Sequence, residues 1–307
     1  MLENDNTVTL RKVATSDLSG GGILNTQQAD KFITFTIDES IMKNNVRIRR
    51  MQAPVEEIDR LHLGTRVARG KTECVDPGTR VTVSGSAITL NTVALVVPWE
   101  ICWEVLEDNI EGAGFETTLM QDISRALAND LEELAIQGDT TSVDSYLALK
   151  DGWLKLMTAD SAHDVDVSGL ADHTLTKTVF SRVLKGLPTK YRRNRSLLRF
   201  FVNVDQEQDY RETLTARDTN LGDSALTNAD NLRIYGIPIV PVPYMPKGYV
   251  VLTNWMNFIF GIWRKIRLEK DKDIMIGKDL FAFHMRVGFA VEKGDAVAYT
   301  DDVADPT

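Results

Sequence analysis

The stretch Gly64-Thr65-Arg66-Val67-Ala68-Arg69-Gly70-Lys71-Thr72 comes nearest to a chemical motif in this chain. Glycine amides could cradle phosphate groups while the lysine amine reaches the terminal ones. The phosphate-binding loop has four residues between its glycines, however, and this stretch has five. It also needs a helix directly after the lysine, whose amino-terminal dipole helps hold the anion. Here Glu73, Cys74, Val75, Asp76, Pro77 and Gly78 follow, a turn-forming run, so the stretch reads as the exposed basic tip of a hairpin.

Other chemistry is equally thin. His62, His163, His173 and His284 are scattered without metal-ligand spacing, Cys74 and Cys102 form no CxxC pair, and no GxSxG elbow occurs. Acid pairs such as Glu132-Glu133 and Asp301-Asp302 read as solvated charge. No catalytic residue, cofactor or metal is expected, and the chain is not read as an enzyme. One dense basic cluster remains, Lys190, Arg192, Arg193, Arg195 and Arg199 with Tyr191 between them. Either a nucleic-acid groove or a basic loop meeting an acidic neighbour would use it.

These residues sit in a chain of 307 with 35 basic and 44 acidic side chains, a net charge of −9 that disfavours specific nucleic-acid readout by the whole surface. Hydrophobic residues at 43% and charged residues at 26% are those of a globular protein, about two domains in size. No apolar run approaches the roughly 20 residues of a membrane-spanning helix, and Met1 to Ser19 has no signal-peptide core. The expected setting is the reducing cytoplasm in which the chain is made, without membrane contact.

Along the chain, residues 1–45 form a polar stretch, a Gly20-Gly21-Gly22 joint and a thin apolar face at Phe32 and Ile33, which reads as an arm docking elsewhere. Residues 46–97 alternate as two limbs of a long hairpin with almost no core of its own, marginal unless it lies on a partner. A helix is expected over 101–108 after Pro98-Trp99-Glu100. A longer one is expected over 115–137, where Phe115, Leu119, Ile123, Leu127, Leu131, Leu134 and Ala135 recur at steps of three and four and Gly138 stops the run. At 1.5 Å per residue that strut is roughly 35 Å long. Residues 138–174 read as a polar connection, 175–187 and 206–216 as helices, and 197–204 and 248–253 as strands. Residues 234–242 read as a strand whose prolines put it at a sheet edge. Residues 262–268 read as a strand, Arg267 to Asp273 as a solvated loop, and Phe281 to Val291 as a cleanly alternating strand. The picture is an α+β body with an arm, a ribbon and a strut that are not self-sufficient, which suits a subunit of a closed assembly.

That order resembles the major capsid protein family of tailed double-stranded DNA bacteriophages, whose fold is shared with encapsulins. Leu24-Asn25-Thr26-Gln27-Gln28-Ala29-Asp30-Lys31-Phe32 is similar to the family's amino-terminal arm, and Val97-Pro98-Trp99-Glu100-Ile101 through Ile136-Gln137-Gly138-Asp139 to the spine helix and its lead-in. Leu187-Pro188-Thr189-Lys190-Tyr191-Arg192-Arg193-Asn194, Tyr235-Gly236-Ile237-Pro238-Ile239-Val240 and Met245-Pro246 resemble the axial domain, and Phe283 to Val291 the strand returning to the peripheral domain. The resemblance implies an arm at 1–45, an extended β-hairpin loop at 46–97, a peripheral domain with the spine helix at 98–168 and 280–307, and an axial domain at 169–279. It implies a virion capsid subunit that forms hexamers and pentamers in the host bacterial cytoplasm and encloses double-stranded DNA by non-specific contact. A separately encoded scaffolding protein and a portal protein are its implied partners, and a decoration protein is one the resemblance allows. An encapsulin-like compartment holding cargo enzyme is the alternative. Intersubunit contacts are expected at Phe32, Ile33, Arg66, Arg69 and Lys71, and at Arg267, Glu269, Lys270, Asp271, Lys272 and Asp273, where the family makes contacts around local threefold positions.

Overall fold

The computed structural model describes residues 45–62, 68, 73–74, 84–108, 115–170, 174–215, 232–263 and 267–304. The expected arm with Phe32 and Ile33, and the expected basic tip with Arg66, Arg69 and Lys71, lie outside them.

The alternating segment at the carboxy-terminal end becomes β12 (Lys278–Val291), the axis of a five-stranded sheet. Along one side it pairs antiparallel with β4 (Val93–Cys102), from Lys278 opposite Cys102 to Val287 opposite Val93. Along the other, its first half pairs with β11 (Arg267–Asp273) and its second half with β10 (Phe258–Trp263). A further strand, β1 (Arg47–Met51), lies parallel to β10. The period of two sends Phe281, Phe283, Met285, Val287 and Phe289 of β12 into one core. Leu127, Leu131, Leu134 and Ala135 of the 23-residue helix spanning Phe115–Gln137 cover them, as their helical spacing predicts.

Four stretches differ from expectation. Residues 98–102 continue β4, and the helix begins only at Trp103 (α1, Trp103–Asp108; the long helix Phe115–Gln137 is α2). Pro98 is tolerated because, among the described strands, β4 pairs only with β12, so its outer side needs no backbone donor. The charged run Arg267 to Asp273 is a paired strand, because a β12 of 14 residues offers a second edge and pairing outweighs the low β-propensity of Lys and Asp. The strand expected over 262–268 is divided between β10 and β11. Within 138–174, a short helix α3 (Trp153–Ala159) puts Trp153 and Met157 into the core, with the Trp153 indole donating to the Ile259 carbonyl at 3.2 Å. Gly138 and Gly152 bring α2 and α3 together: Gly152 N donates to Gly138 O at 2.7 Å, and a Cβ on Gly152 would stand 2.8 Å from the Ala135 carbonyl oxygen.

The second sheet has six strands and its own core. Its members are β5 (His163–Asp164), β6 (Leu198–Asn203), β7 (Arg233–Ile234), β8 (Ile237–Val242), β9 (Val250–Asn254) and β13 (Val297–Thr300), in the order β5-β13-β9-β6-β8-β7. The helices α4 (Lys177–Gly186), α5 (Thr189–Arg192) and α6 (Val204–Thr215) belong to this half. Phe180 of α4 meets Phe200 of β6 edge-on at 4.9 Å and Tyr210 of α6 at 5.2 Å. Among the described strands, the proline-bearing β8 has only the two-residue β7 on its outer side, which is the edge placement its sequence demands. Strands β10 and β11, within the expected axial span 169–279, belong to the five-stranded sheet, and β5 and β13, within the expected peripheral spans, to the six-stranded one.

Candidate intersubunit surfaces

Two features leave this body. The first is the hairpin of β2 (Val55–His62) and β3 (Ser84–Asn91), which pair from Val55 opposite Asn91 to His62 opposite Ser84 and belong to neither sheet. Since β1 and β4 are strands of the five-stranded sheet, the part of 46–97 standing off it is this hairpin. Its root is seated. Ile58 and Leu90 meet Met51, Ile259 and Ala290, over the place where Gly261 of β10 and Gly288 of β12 face each other in register. A Cβ on Gly261 would stand 2.7 Å from Leu90 Cδ2 and 2.8 Å from Met51 Sδ, so only glycine lets the root come this close.

Polar ties fix the angle of departure. Thr92 donates to the Pro54 carbonyl through its amide at 3.1 Å and its hydroxyl at 2.8 Å. Arg49 Nε donates to Glu56 Oε2 at 2.7 Å, and that bond holds the Glu56 carboxyl below its ordinary range. Farther out, Arg60 donates to the Val291 carbonyl at 3.0 Å and faces Asp160 at 3.5 Å.

The second feature is the turn Ile274-Met275-Ile276-Gly277 between β11 and β12. Its backbone is closed tightly. The Asp273 carboxylate accepts from Met275 N at 3.1 Å and Ile276 N at 3.3 Å, the Asp273 carbonyl accepts from Gly277 N at 2.9 Å, and Gly277 takes φ 69°, open to glycine without steric cost. Trp103 braces the base, donating from its amide to Gly277 O at 3.0 Å and from its indole to Asp279 Oδ1 at 2.9 Å. Yet Ile274, Met275 and Ile276 are 78%, 94% and 66% exposed. Contiguous, rigid and apolar, they form a surface that gains by meeting a partner, since most of the ordering cost is already met within the subunit.

The charged candidates beside this turn divide by exposure. Glu269, Asp271 and Lys272 are exposed on β11. Lys270 is engaged within its own subunit, 3.0 Å from Asp279 and above the Phe281 ring at 4.8 Å. Burial works against the Asp279 charge, but the Trp103 indole and the Lys270 ammonium outweigh it and hold the carboxyl below its ordinary range. Asp273 is used by the turn, and Arg267 opens β11 opposite His284. The expected contact candidates are the charged residues flanking this turn; its exposed apolar residues are not among them. The available signal was three large apolar residues between an aspartate and a glycine, a turn spacing filled with side chains that turns seldom expose.

In the basic cluster, Lys190 pairs with Asp295 at 2.8 Å, and Arg195 donates to the Tyr235 carbonyl at 3.2 Å. Among the described residues, no three His, Cys, Asp or Glu side chains stand close enough to share a metal ion, and no helix is long and apolar enough to cross a membrane.

Residues 20–302 match the model of the phage capsid family. A putative prophage capsid protein, YqbE of Bacillus subtilis strain 168, is 32% identical over 311 residues, covering 97% of this chain and 98% of that protein. Among solved structures, a chain of the satellite phage P4 procapsid including the size determination (Sid) protein superposes with a TM-score of 0.69 at 13% identity, covering 94% of this chain and 95% of that one. The capsid of a native GTA particle gives 0.62 at 18% identity, over 88% of this chain and 91% of its own. A chain from Mycobacterium phage Che8 gives 0.59 at 14%, over 87% and 92%.

Proposed function

The chain belongs to the phage capsid family, and from that premise we propose that its copies gather into rings of six and five that close an icosahedral shell around double-stranded DNA. Its role is structural, as a capsid subunit of the virion. Relatives that are phage, prophage and GTA capsids do not favour the encapsulin-like compartment.

The observations that carry the proposal are the unburied but tightly hydrogen-bonded turn at Ile274–Ile276 and, toward the other end of β12, a hairpin that belongs to neither sheet. Both are contact surfaces awaiting a neighbour. We assign the turn, with exposed Glu269, Asp271 and Lys272 and the start of β11 at Arg267, to contacts between rings. The hairpin, with Arg66, Arg69 and Lys71 at its tip, and the arm, with Phe32 and Ile33, would overlap adjacent copies. The six-stranded half is the axial region that lines each ring, and the five-stranded half with α2 is the peripheral region. A scaffolding protein and a portal would act during assembly in the host cytoplasm. Produced with the other structural proteins of its phage, the full-length chain should sediment as shells with five- and sixfold rings visible by electron microscopy. Material that stays monomeric or dimeric would overturn this reading.

A further inference from the structure

The six-stranded sheet carries unbalanced charge of opposite sign at two diagonally opposite corners. At the first, Arg199 of β6 lies beside Pro238 of β8, because Phe200 is aligned with Ile239, and Pro238 in turn faces Arg233 of β7. The two arginines therefore flank one proline. Arg195 joins them through the Tyr235 carbonyl, on the turn between β7 and β8. Arg199 donates to the carbonyls of Ser196 at 2.7 Å and Leu198 at 2.8 Å, and among the described residues no carboxylate pairs with any of the three. Burial and the charge of Arg233 push the Arg199 guanidinium down from its ordinary value.

At the other corner, Asp164 of β5 stands with Asp301 and Asp302, which follow directly after β13, and all three are exposed. Burial, then the charges of Asp301 and Asp302, push the Asp164 carboxyl up. The same burial and crowding push up the hydroxyls of Tyr249 and Tyr299. The strands β5 and β7 are the two edges of the sheet, separated by about 24 Å at the usual strand spacing. The corners also lie at opposite strand ends: Leu198 is aligned with Asn254 of β9 at one, and Thr300 with Val250 of β9 at the other.

We propose that these corners meet between neighbouring copies, the Arg195, Arg199 and Arg233 corner of one subunit receiving the Asp164, Asp301 and Asp302 corner of the next. The proposal rests on the ring-forming reading above. A ring is built from head-to-tail contacts, in which two different patches of the same chain must be complementary. Here each patch is electrostatically unfavourable within the subunit, and each carries what the other lacks. Guanidinium groups already held by backbone carbonyls suit carboxylates better than lysines would, because the planar fork meets two oxygens at once. DNA phosphate is the other anion an arginine corner could take, but it would leave the acidic corner unmatched in a chain of net charge −9.

The test exchanges the charges. Arg195 and Arg233 are both exposed, so Arg195→Glu with Arg233→Glu, and Asp301→Lys with Asp302→Lys, leave the core untouched. With two close pairs turned repulsive, either double variant should weaken association between copies about a hundredfold and lower shell yield accordingly. The chain carrying all four exchanges should recover shells, an outcome that mere structural damage does not produce. Shells formed at wild-type yield by every variant would overturn the pairing alone. Arginine-reversed shells that assemble normally but retain less DNA would overturn it in favour of phosphate binding. A wild-type chain that forms no rings would overturn the ring reading, and the pairing with it.

Discussion

The six-stranded half of the molecule and the β2–β3 hairpin are both β-structure, but they answer the demand for burial differently. In the first, Phe180, Phe200, Val202, Ile237, Ile239, Val250 and Leu252 are buried by elements of the same chain. In the second, Ile58 and Leu90 are buried only where the root crosses the five-stranded sheet, and Val55 remains 53% exposed. A two-stranded ribbon cannot supply its own core. The glycine seat below it therefore fixes direction more than it adds buried surface. The contrast separates what the subunit needs in order to fold from what it presents for assembly.

The largest expected effect lies in the self-sufficient half. Phe200 is fully buried against Phe180, so Phe200→Ala should lower unfolding free energy by about 3–5 kcal/mol, as other large-to-small core substitutions do. Chemical denaturation of the unassembled subunit would measure it. A loss below about 1 kcal/mol would mean that this half also completes its core between copies, and the contrast would collapse. A smaller, directional effect is expected at the seat. Gly261→Val places methyl groups where Leu90 Cδ2 and Met51 Sδ already stand, an overpacking that costs about 1–3 kcal/mol. Because the hairpin root is what must yield, proteolysis of the variant should accelerate within 55–91 while the six-stranded half stays resistant. Uniform acceleration throughout would show that root and body unfold as one unit.

How far the sequence discloses this division depends on what each residue buries against. In β12 and α2, periods of two and of three to four are visible because each element has one buried face, and the structure keeps both. The strand β11 has no such signature: Arg267 to Asp273 is charged at every position but Leu268, and its pairing is dictated by the free edge of the long partner β12. The helix α3 escaped for a related reason, since it spans only two turns and Leu154 and Leu156 blur the stripe that buried Trp153 and Met157 make. Gly261 and Gly288 read as weak points in strands, and nothing in their neighbourhood tells which segment crosses above them. Among the proposed contact residues, the charged run adjoins the exposed turn, but Ile274 to Ile276 look in sequence like one more buried apolar run. Exposure there is imposed by the Asp273 carboxylate and Gly277, which close the chain before it can turn inward.

The smallest effect on the isolated subunit is expected at that turn, and it tests the contrast most sharply. Met275 is 94% exposed, and its amide is held by Asp273 whatever side chain it carries. Met275→Ser should therefore leave unfolding free energy within about 0.5 kcal/mol of wild type, as surface substitutions do. Assembly should respond differently. A methionine buried by neighbouring copies contributes on the order of 1.5–3 kcal/mol at each contact, enough to raise the concentration needed for shell formation at least about tenfold. Light scattering against subunit concentration reads the second quantity, and denaturation reads the first. An unchanged assembly threshold would show that the turn faces solvent in the shell, and a destabilised monomer would show that it belongs to the body. Only a stable subunit that assembles poorly fits a surface whose rigidity is set within one chain and whose burial is completed by another.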